Sequence, residues 1–425
     1  NLSIAGNSIT RFEMINNNII TNLEIYGNAS LSYLNLSGCT NLVDIITGSP
    51  SGTQQSLLPL DSVILTNCTN LNSSGHLELS GTNATTGQMS YLNLSGCSSL
   101  QGFYVNDNQI SSLNIDGCNS LTNIDIRNNL ITALEINNNT NLSSVIIGQN
   151  PMIKLDLSGC TSLNLIDMNS LVPNTRLPLD SVNLSGCSSF NDFLHLSGIA
   201  ETTGQLSYLN VSGCSLTILD ISSNSVTSID LTGCNSLSFL NCDNNQLTGL
   251  NLSGNSSLSD LFCSNNQLSS LDLRNGNNTN FTIFDATGNS NLNCISVDDA
   301  NWATANWTNI DSHTIFLDDC ASFVALDADF SADATTVCQG FAVNFTDAST
   351  GSAGITSWSW DFGDGTTSTL QNPTHTYNTV GTYDVSLTLN SSGDTETKTG
   401  YITVTQIGSI YADNFESQGS WTGDF

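Results

Sequence analysis

The residues of this sequence with the widest range of chemistry are its 13 cysteines, which could form disulfides or bind a metal. We expect most of them to be buried free thiols, because they occupy a repeated bend position where other repeats carry Asn. Cys242 and Cys263 share a second repeat position, which indicates a stacked core pair. No Cys-x-x-Cys occurs and the four histidines are scattered, so the sequence does not predict a zinc site. The bend cysteines follow Gly in a Ser/Thr/Asp-Gly-Cys motif and are Cys39, Cys97, Cys118, Cys160, Cys187, Cys214 and Cys234.

Carboxylates are the second group that could do chemistry. Asp298, Asp299, Asp318 and Asp319 could gather a calcium ion, and the alternative is that they are ordinary solvated carboxylates. Neither these nor other acidic pairs lie in the apolar surroundings that shift a catalytic pKa. The sequence contains no Gly-x-Ser-x-Gly, no His-Glu-x-x-His and no phosphate-binding loop. We therefore predict a protein that is not an enzyme and needs no cofactor, with calcium as the open alternative.

The charge of the chain limits its partners. Only 6 Lys and Arg stand against 37 Asp and Glu, which gives a formal net charge of −31. Such a field repels nucleic acid and anionic lipid, and it favours cationic partners or serves solubility alone. The sequence has no apolar run of about 18 residues, so we predict no membrane span.

The elements that position these residues come from a repeat. The segments SLSFLNCDNNQLTGLNLSGN (236–255) and SLSDLFCSNNQLSSLDLRNG (257–276) align at an offset of 21 residues. The first contains the pattern apolar-x-apolar-x-x-Asn twice, and the second contains it once and then again with Gly276 at the Asn position. The pattern places two apolar side chains on one face of a short strand before a tight bend. The pattern predicts a β-solenoid of about twelve coils over residues 1–293, with two short strands per coil and little helix.

This pattern, L-x-x-L-x-L-x-x-N-x-L, resembles a leucine-rich repeat. The 21-residue form with both halves alike is similar to a subclass found in surface proteins of the Bacteroidetes. The resemblance implies a binding scaffold and a secreted or cell-surface protein of a Gram-negative bacterium, exported by type IX secretion.

The repeat spacing widens in two related segments, 49–97 and 171–214, which indicate the duplication of a block of about 118 residues. The extra residues must leave the solenoid as loops, and we expect both loops on the same side because the intervening coils stack in register. They would form a paired ligand site, or they are decorations inherited with the duplication. Tyr91 and Tyr208 are equally well explained as packing residues at strand starts. The candidate binding residues are Asp61, Gln88, Tyr91, Asp180, Gln205 and Tyr208.

The repeat ends in a segment of different composition, residues 294–320, which is similar to the closing segment of the same repeat family. Trp302, Trp307 and Phe316 supply apolar bulk that would cover the open end of the solenoid. We predict a disulfide between Cys294 and Cys320, which bracket this cap, because an exported protein can keep one.

A second domain follows a linker at 321–328. Residues 329–405 alternate apolar and polar side chains between Gly-, Asn- and Pro-containing turns, which predicts an immunoglobulin-like β-sandwich. WDFGDG together with the later HTY and GTYDVSLT resembles a PKD domain, in which Trp360 would be the core tryptophan. We expect Cys338 to be buried and reduced. Residues 406–425 resemble the start of a further module.

These observations favour a non-catalytic adhesion or ligand-binding protein whose partner is an extracellular protein or a glycan. One alternative is the accessory region of a secreted hydrolase that degrades polysaccharide or protein. The other is a filament or spacer subunit that associates with copies of itself.

Overall fold

The repeats fold into a β-solenoid of about 13 turns, followed by a PKD-type β-sandwich, and the chain is nearly all β as predicted. The computed structural model describes residues 1–47, 58–72, 75–80, 89–168, 178–198, 206–351, 355–390 and 394–406. These residues belong to two compact units, one formed by 1–291 and 305–311 and the other by 292–304 and 312 onward.

Strands of two or three residues alternate between two ladders. The odd ladder comprises β1 (Leu2–Ser3), β3 (Asn22–Glu24), β5 (Asp44–Ile46), β7 (His76–Glu78), β9 (Gly102–Tyr104), β11 (Asn123–Asp125), β13 (Ser144–Ile146), β15 (Leu165–Asp167), β17 (Phe193–His195), β19 (Ile218–Asp220), β21 (Phe239–Asn241), β23 (Asp260–Phe262) and β25 (Ile283–Asp285). The even ladder comprises β2 (Arg11–Glu13), β4 (Tyr33–Asn35), β6 (Ser62–Ile64), β8 (Tyr91–Asn93), β10 (Ser112–Asn114), β12 (Ala133–Glu135), β14 (Lys154–Asp156), β16 (Ser181–Asn183), β18 (Tyr208–Asn210), β20 (Ile229–Asp230), β22 (Gly249–Asn251) and β24 (Ser270–Asp272).

Most neighbouring strands within a ladder pair in parallel, one turn apart, and each ladder is divided into successive sheets of up to five strands. Leu240 lies opposite Leu261, for example, and both are fully buried. The central residue of each strand points into the core while its two neighbours point outward, because successive side chains of a strand alternate. The apolar residue two positions further on is also buried, as Leu36 is after Leu34. Stacked leucines, isoleucines and valines therefore form a continuous core.

Most repeat strands end at a bend that contains a residue with positive φ. Gly38 has φ of 73°, and Asn128 has φ of 52° at the equivalent place on the odd ladder. Glycine and asparagine tolerate this left-handed conformation at little steric cost. This requirement explains the recurrent Gly-Cys and Asn-Asn pairs of the sequence.

The residue after this bend is buried and bonds to the preceding turn. On the odd ladder it is usually asparagine: the Asn245 Nδ2 donates to the backbone oxygens of Ile221 at 2.9 Å and Cys242 at 3.1 Å. Its Oδ1 accepts from the Val226 backbone nitrogen at 3.0 Å. One carboxamide thus satisfies three backbone groups that stand at a bend without a strand partner.

On the even ladder the same place is usually a cysteine. The Cys118 Sγ donates to the Leu94 backbone oxygen at 3.1 Å, and Cys214 donates likewise to Leu184 at 3.1 Å. Ten of the 11 free cysteines are buried, Cys242 and Cys263 among them, as the repeat predicts. Cys338 differs from expectation, since it is only half-buried on an edge strand of the sandwich.

The cap segment contains a short helix, α1 (Ala300–Asn306), that the repeat analysis did not predict. The Asp299 carboxylate accepts from the Trp302 backbone nitrogen at 3.0 Å, which caps the first turn. Strands β26 (Cys294–Ser296) and β27 (Ile315–Leu317) pair in parallel in the manner of repeat strands. A disulfide joins Cys294 to Cys320. The Trp307 ring stacks on that of Phe284, the central residue of β25, with ring centroids 4.4 Å apart.

The sandwich consists of two sheets. One has the order β28 (Phe330–Ala332), β30 (Ala342–Asp347), β33 (Thr374–Thr376). The other has the order β29 (Thr336–Cys338), β35 (Thr395–Thr405), β34 (Gly381–Leu389), β31 (Trp358–Asp361), β32 (Thr367–Ser368). Trp360 is fully buried in the core, as predicted, and donates its indole N–H to the Leu370 oxygen at 2.9 Å. Two 3-10 turns, η1 (Asn278–Asn280) and η2 (Cys320–Ser322), complete the described elements.

We predict that Asn245→Ala lowers the free energy of unfolding by about 3 kcal/mol, because it leaves buried backbone groups at the bend without partners. Urea denaturation measures the change, and Gln246→Ala, at the exposed neighbouring side chain, is the matched control with no expected effect. Equal stability of the two variants would show that the asparagine bonds are dispensable.

We also predict that stability declines above about pH 9. Burial raises the pKa of Cys118 and Cys160 to about 12 and that of Cys234 to about 11, from an ordinary value of 9.0. A raised folded-state pKa means that the stability is fully present below pH 9, where the thiol is neutral in both states. It is lost as pH rises toward the folded-state values, because only the unfolded thiols ionise.

The expected slope is up to about 1.4 kcal/mol per pH unit for each buried thiol. Urea denaturation at several pH values gives this slope. A Cys118→Ala, Cys160→Ala double variant separates the contribution of these thiols from that of the tyrosines and lysines, which also titrate in this pH range. A slope equal to that of the native protein in this variant would contradict the assignment.

Candidate ligand-binding surface

The candidate surface begins where strands β6 and β8 start, in the first duplicated segment. The exposed Asp61 carboxylate accepts from the Ser90 hydroxyl at 2.8 Å, and the Asp61 backbone oxygen accepts from the Ser90 nitrogen at 2.9 Å. Tyr91 follows Ser90 and points outward as the first residue of β8. The segment therefore places an acidic group and a phenol ring on two adjacent turns.

The second duplicated segment repeats this arrangement. The Ser207 hydroxyl donates to the Asp180 carboxylate at 2.6 Å, and the Ser207 nitrogen donates to the Asp180 backbone oxygen at 2.9 Å. Tyr208 is the first residue of β18. The same three residue types thus recur in the same hydrogen-bonding geometry.

Both copies lie on the even ladder, so the flanks of the two predicted loops start on one side of the solenoid. Five strand spacings separate β8 from β18, which corresponds to about 24 Å. Gln88 and Gln205 lie outside the described residues, as do most residues of the loops themselves. The structure brings Asp61 close to Tyr91 and Asp180 close to Tyr208, and it keeps the two pairs apart.

The two tyrosines differ in their surroundings. The Tyr91 ring is half-buried, and its hydroxyl accepts from the Asn93 Nδ2 at 3.2 Å. Tyr208 is 49% exposed. Tyr208 therefore offers the larger exposed surface to a ligand. Tyr91 is partly a packing residue at a strand start, which is the alternative that the sequence left open for both tyrosines.

Polar residues at the third position of each strand also have a structural role. The Asn210 Oδ1 accepts from the Ser212 backbone nitrogen at 3.0 Å, and the Asp220 Oδ1 accepts from that of Ser222 at 3.0 Å. Asn and Asp make the same bond, because each offers an oxygen two residues before the N–H. This bond explains the frequent Asn-x-Ser sequence without any modification of the asparagine.

The acidic residues of the cap hold backbone groups. Asp299 caps helix α1, Asp318 accepts from the Ala300 nitrogen at 2.9 Å, and Asp319 accepts from the Ala321 nitrogen at 3.0 Å. Asp298 precedes the helix. Within the described segments, no three His, Cys, Asp or Glu side chains are grouped so as to hold a metal ion.

The repeat pattern does not predict a row of apolar side chains that point outward from strands β17 to β25 of the odd ladder. The residues that flank the central leucine of each strand indicate this row, as in SFLN (238–241) and DLFC (260–263), where Phe occupies an outward position. The repeat constrains the central residue and leaves its neighbours free, so the pattern gave no reason to single them out. In the part of the chain that the structure describes, no helix is long and apolar enough to cross a membrane.

Comparisons with known proteins concern mainly the sandwich. A 44-residue stretch is 54% identical to collagenase ColA of Bacillus cereus, over 10% of this chain and 5% of that protein. The PKD1 domain of the Vibrio cholerae metalloprotease PrtV is 35% identical over 20% of this chain and all of that domain, with a TM-score of 0.17.

The functional domain of InlJ from Listeria monocytogenes, described as including a cysteine ladder, is 17% identical over 91% of this chain and 90% of that chain, with a TM-score of 0.28. The chain spans only about one-twentieth of the curated relative that it matches. The family model described as PKD domain matches residues 326–405. These residues form a PKD domain.

Proposed function

We propose that this chain is a non-catalytic adhesion or ligand-binding protein that acts outside the cell, with the solenoid as the binding scaffold and the PKD domain as an accessory module. The observation that carries the proposal is the repetition of one outward arrangement, Asp61 with Tyr91 and Asp180 with Tyr208, on the same ladder. A repeated surface on a stiff scaffold suits a ligand that itself carries repeated epitopes.

The physical advantage of such a pair is avidity. Two weak contacts about 24 Å apart act together when the ligand can engage both, and the overall affinity can then exceed that of either contact by about 100-fold or more. Between the two copies, β8 pairs with β10 and strands β12 to β18 pair in sequence, and buried side-chain bonds link successive turns. Little freedom would be lost when a ligand bridges them.

Charge and compartment support an extracellular partner. The net charge of −31 opposes binding to nucleic acid or anionic lipid, so we infer an extracellular protein or a glycan as the ligand. A disulfide fits an oxidising compartment, and the remaining thiols are mostly protected by burial. The resemblance of the repeats to leucine-rich repeats of the Bacteroidetes extends this inference to a bacterial cell-surface protein.

We predict that binding depends on both tyrosines. The native protein is screened on a glycan array and on a panel of purified extracellular matrix proteins, collagen included, and the strongest ligand is titrated by surface plasmon resonance. Tyr91→Ala or Tyr208→Ala alone is expected to weaken binding about tenfold, and the double variant by about 100-fold or more, because avidity is lost.

Tyr33→Ala is the matched control, because Tyr33 is the first residue of β4 on the same ladder and lies outside the duplicated segments. The control variant is expected to bind like the native protein. The proposal fails if the native protein binds neither panel or if the double variant binds as tightly as the control.

The second candidate is an accessory region of a secreted hydrolase, and the observation in its favour is the 44-residue likeness to a collagenase. The coding sequence around this chain tests it. A catalytic domain in the same polypeptide would favour this candidate, and loss of activity on insoluble but not on soluble substrate after deletion of residues 1–405 would support a targeting role.

A further inference from the structure

The odd ladder carries an outward apolar side chain on each of five consecutive strands, at the first strand position except on β23, where Asp260 occupies that position. Phe193, Ile218 and Phe239 are paired neighbours at the first strand position. Phe262 follows at the third position of β23, and Ile283 closes the row at the first position of β25. Phe193 is 58% exposed and Ile283 is 42% exposed. We call these five residues the apolar strip.

The solenoid itself does not require the strip. The core is filled by the central residues of the same strands, such as Leu219 and Leu240, which are fully buried. Polar residues occupy the equivalent first positions of other turns on the odd ladder, for example Asn123 and Ser144. An outward phenylalanine is therefore not needed to fill the core, and a row of such side chains exposes apolar surface that typically marks a binding site.

Carboxylates accompany the strip. Asp220, Asp260 and Asp285 lie at outward positions of β19, β23 and β25, and Asp243 follows β21. Burial raises the pKa of Asp243, and the negative charges of Asp285 and Asp220 act in the same direction. These groups thus create a shared negative potential along the row.

This potential is not balanced by basic side chains. The sequence contains no lysine or arginine from residue 177 to residue 273. Arg274 follows β24 of the even ladder and forms an ion pair with Asp272 at 2.7 Å. The nearest cationic candidate on the strip is His195, whose Nδ1 lies 3.8 Å from the Asp220 carboxylate.

We propose that the apolar strip binds a positively charged polypeptide segment, whose apolar side chains cover the phenylalanines and whose Lys or Arg side chains reach the carboxylates. The strip is a second surface of the solenoid, separate from the pairs that contain Tyr91 and Tyr208, and its proposed partner goes beyond the proposed function. The negative potential favours a partner with positive charge, and the outward apolar side chains favour one that also carries apolar groups.

The size of the strip fits an extended segment. Five strands at the usual spacing span about 19 Å, and an extended chain covers this length with about six residues. A peptide that crosses the strands would place every second side chain over the strip and the others toward solvent or the carboxylates.

Two other occupants fit less well. The Phe239 and Phe262 rings are tilted by 47° with centroids 5.7 Å apart, so they do not form the coplanar platform on which a sugar chain would stack. A second copy of this chain would bring two acidic faces together, and their repulsion opposes such a dimer.

The test uses three fluorescent synthetic peptides, each long enough to cross five strands: alternating Lys and Leu, alternating Lys and Ser, and alternating Glu and Leu. Fluorescence anisotropy at physiological salt is expected to show that the Lys-Leu peptide binds the native chain at least about tenfold more tightly than either of the others. Equal binding of the Lys-Leu and Lys-Ser peptides would show that charge alone accounts for binding and that the apolar side chains contribute nothing. That result would overturn the proposal.

Two variants of the strip and one control locate the site. Phe193→Ser with Phe239→Ser removes the exposed Phe193 ring and the half-buried Phe239 ring. Asp220→Asn with Asp285→Asn removes charge while keeping the oxygen that each bend needs. Each pair is expected to weaken Lys-Leu binding about tenfold. The control, Tyr33→Ser with Asp230→Asn, changes the same kinds of group on the even ladder and should leave peptide binding unchanged.

The outcomes are separable. If the phenylalanine variant does not fold, as judged by thermal melting, the Asp→Asn pair still tests the site. Unchanged Lys-Leu binding by the Asp→Asn pair overturns the proposal. Binding of a neutral glycan that only the phenylalanine variant abolishes also overturns it. Self-association in analytical sedimentation that the strip variants abolish overturns it as well. If a ligand found through Tyr91 and Tyr208 is bound while the Lys-Leu peptide is not, the proposed function stands and this inference falls.

Discussion

The interaction on which the solenoid depends is the bond from one buried side chain to the backbone of the turn before it. Strands of three residues are too short to satisfy the backbone around them, and every turn contains two bends with inward-facing polar groups. The carboxamide of Asn245 or Asn266 supplies both donors and an acceptor at that place. Without such a group each turn would bury unpaired backbone, whose cost repeats with every added turn.

The two ladders meet this need in different ways. Asparagine bridges three backbone groups, whereas a cysteine at the equivalent bend donates one weak bond, as Cys160 does to Ile136 at 3.0 Å. Cysteine compensates by packing as a small apolar group in the core. Asn255 stands on the even ladder and donates to the oxygens of Leu231 and Cys234, so the two solutions are interchangeable within one ladder.

Sequence alone predicted the fold, because the period places equivalent residues at equivalent positions and thereby determines which side chains face the core. It also identified Trp360 as a core residue of the sandwich and named the two cysteines that the structure joins. It failed where the repeat carries no information. The helix at Ala300–Asn306 depends on a local cap at Asp299, and the exposure of Cys338 depends on its place at a sheet edge. The outward row from Phe193 to Ile283 was overlooked because the pattern constrains only inward residues.

The stacked bend cysteines of the even ladder also bear on how this chain can reach its folded state. Export, as proposed, would bring the unfolded chain into contact with oxidants, and the 11 thiols that are unpaired in the folded chain would then be open to wrong disulfides. Folding and oxidation therefore compete in time. The solenoid favours folding, since each turn contacts only its neighbours and buries its thiol as soon as the next turn is laid down. The same stack of cysteines would make unfolding under oxidising conditions hard to reverse, because the released thiols can form wrong disulfides.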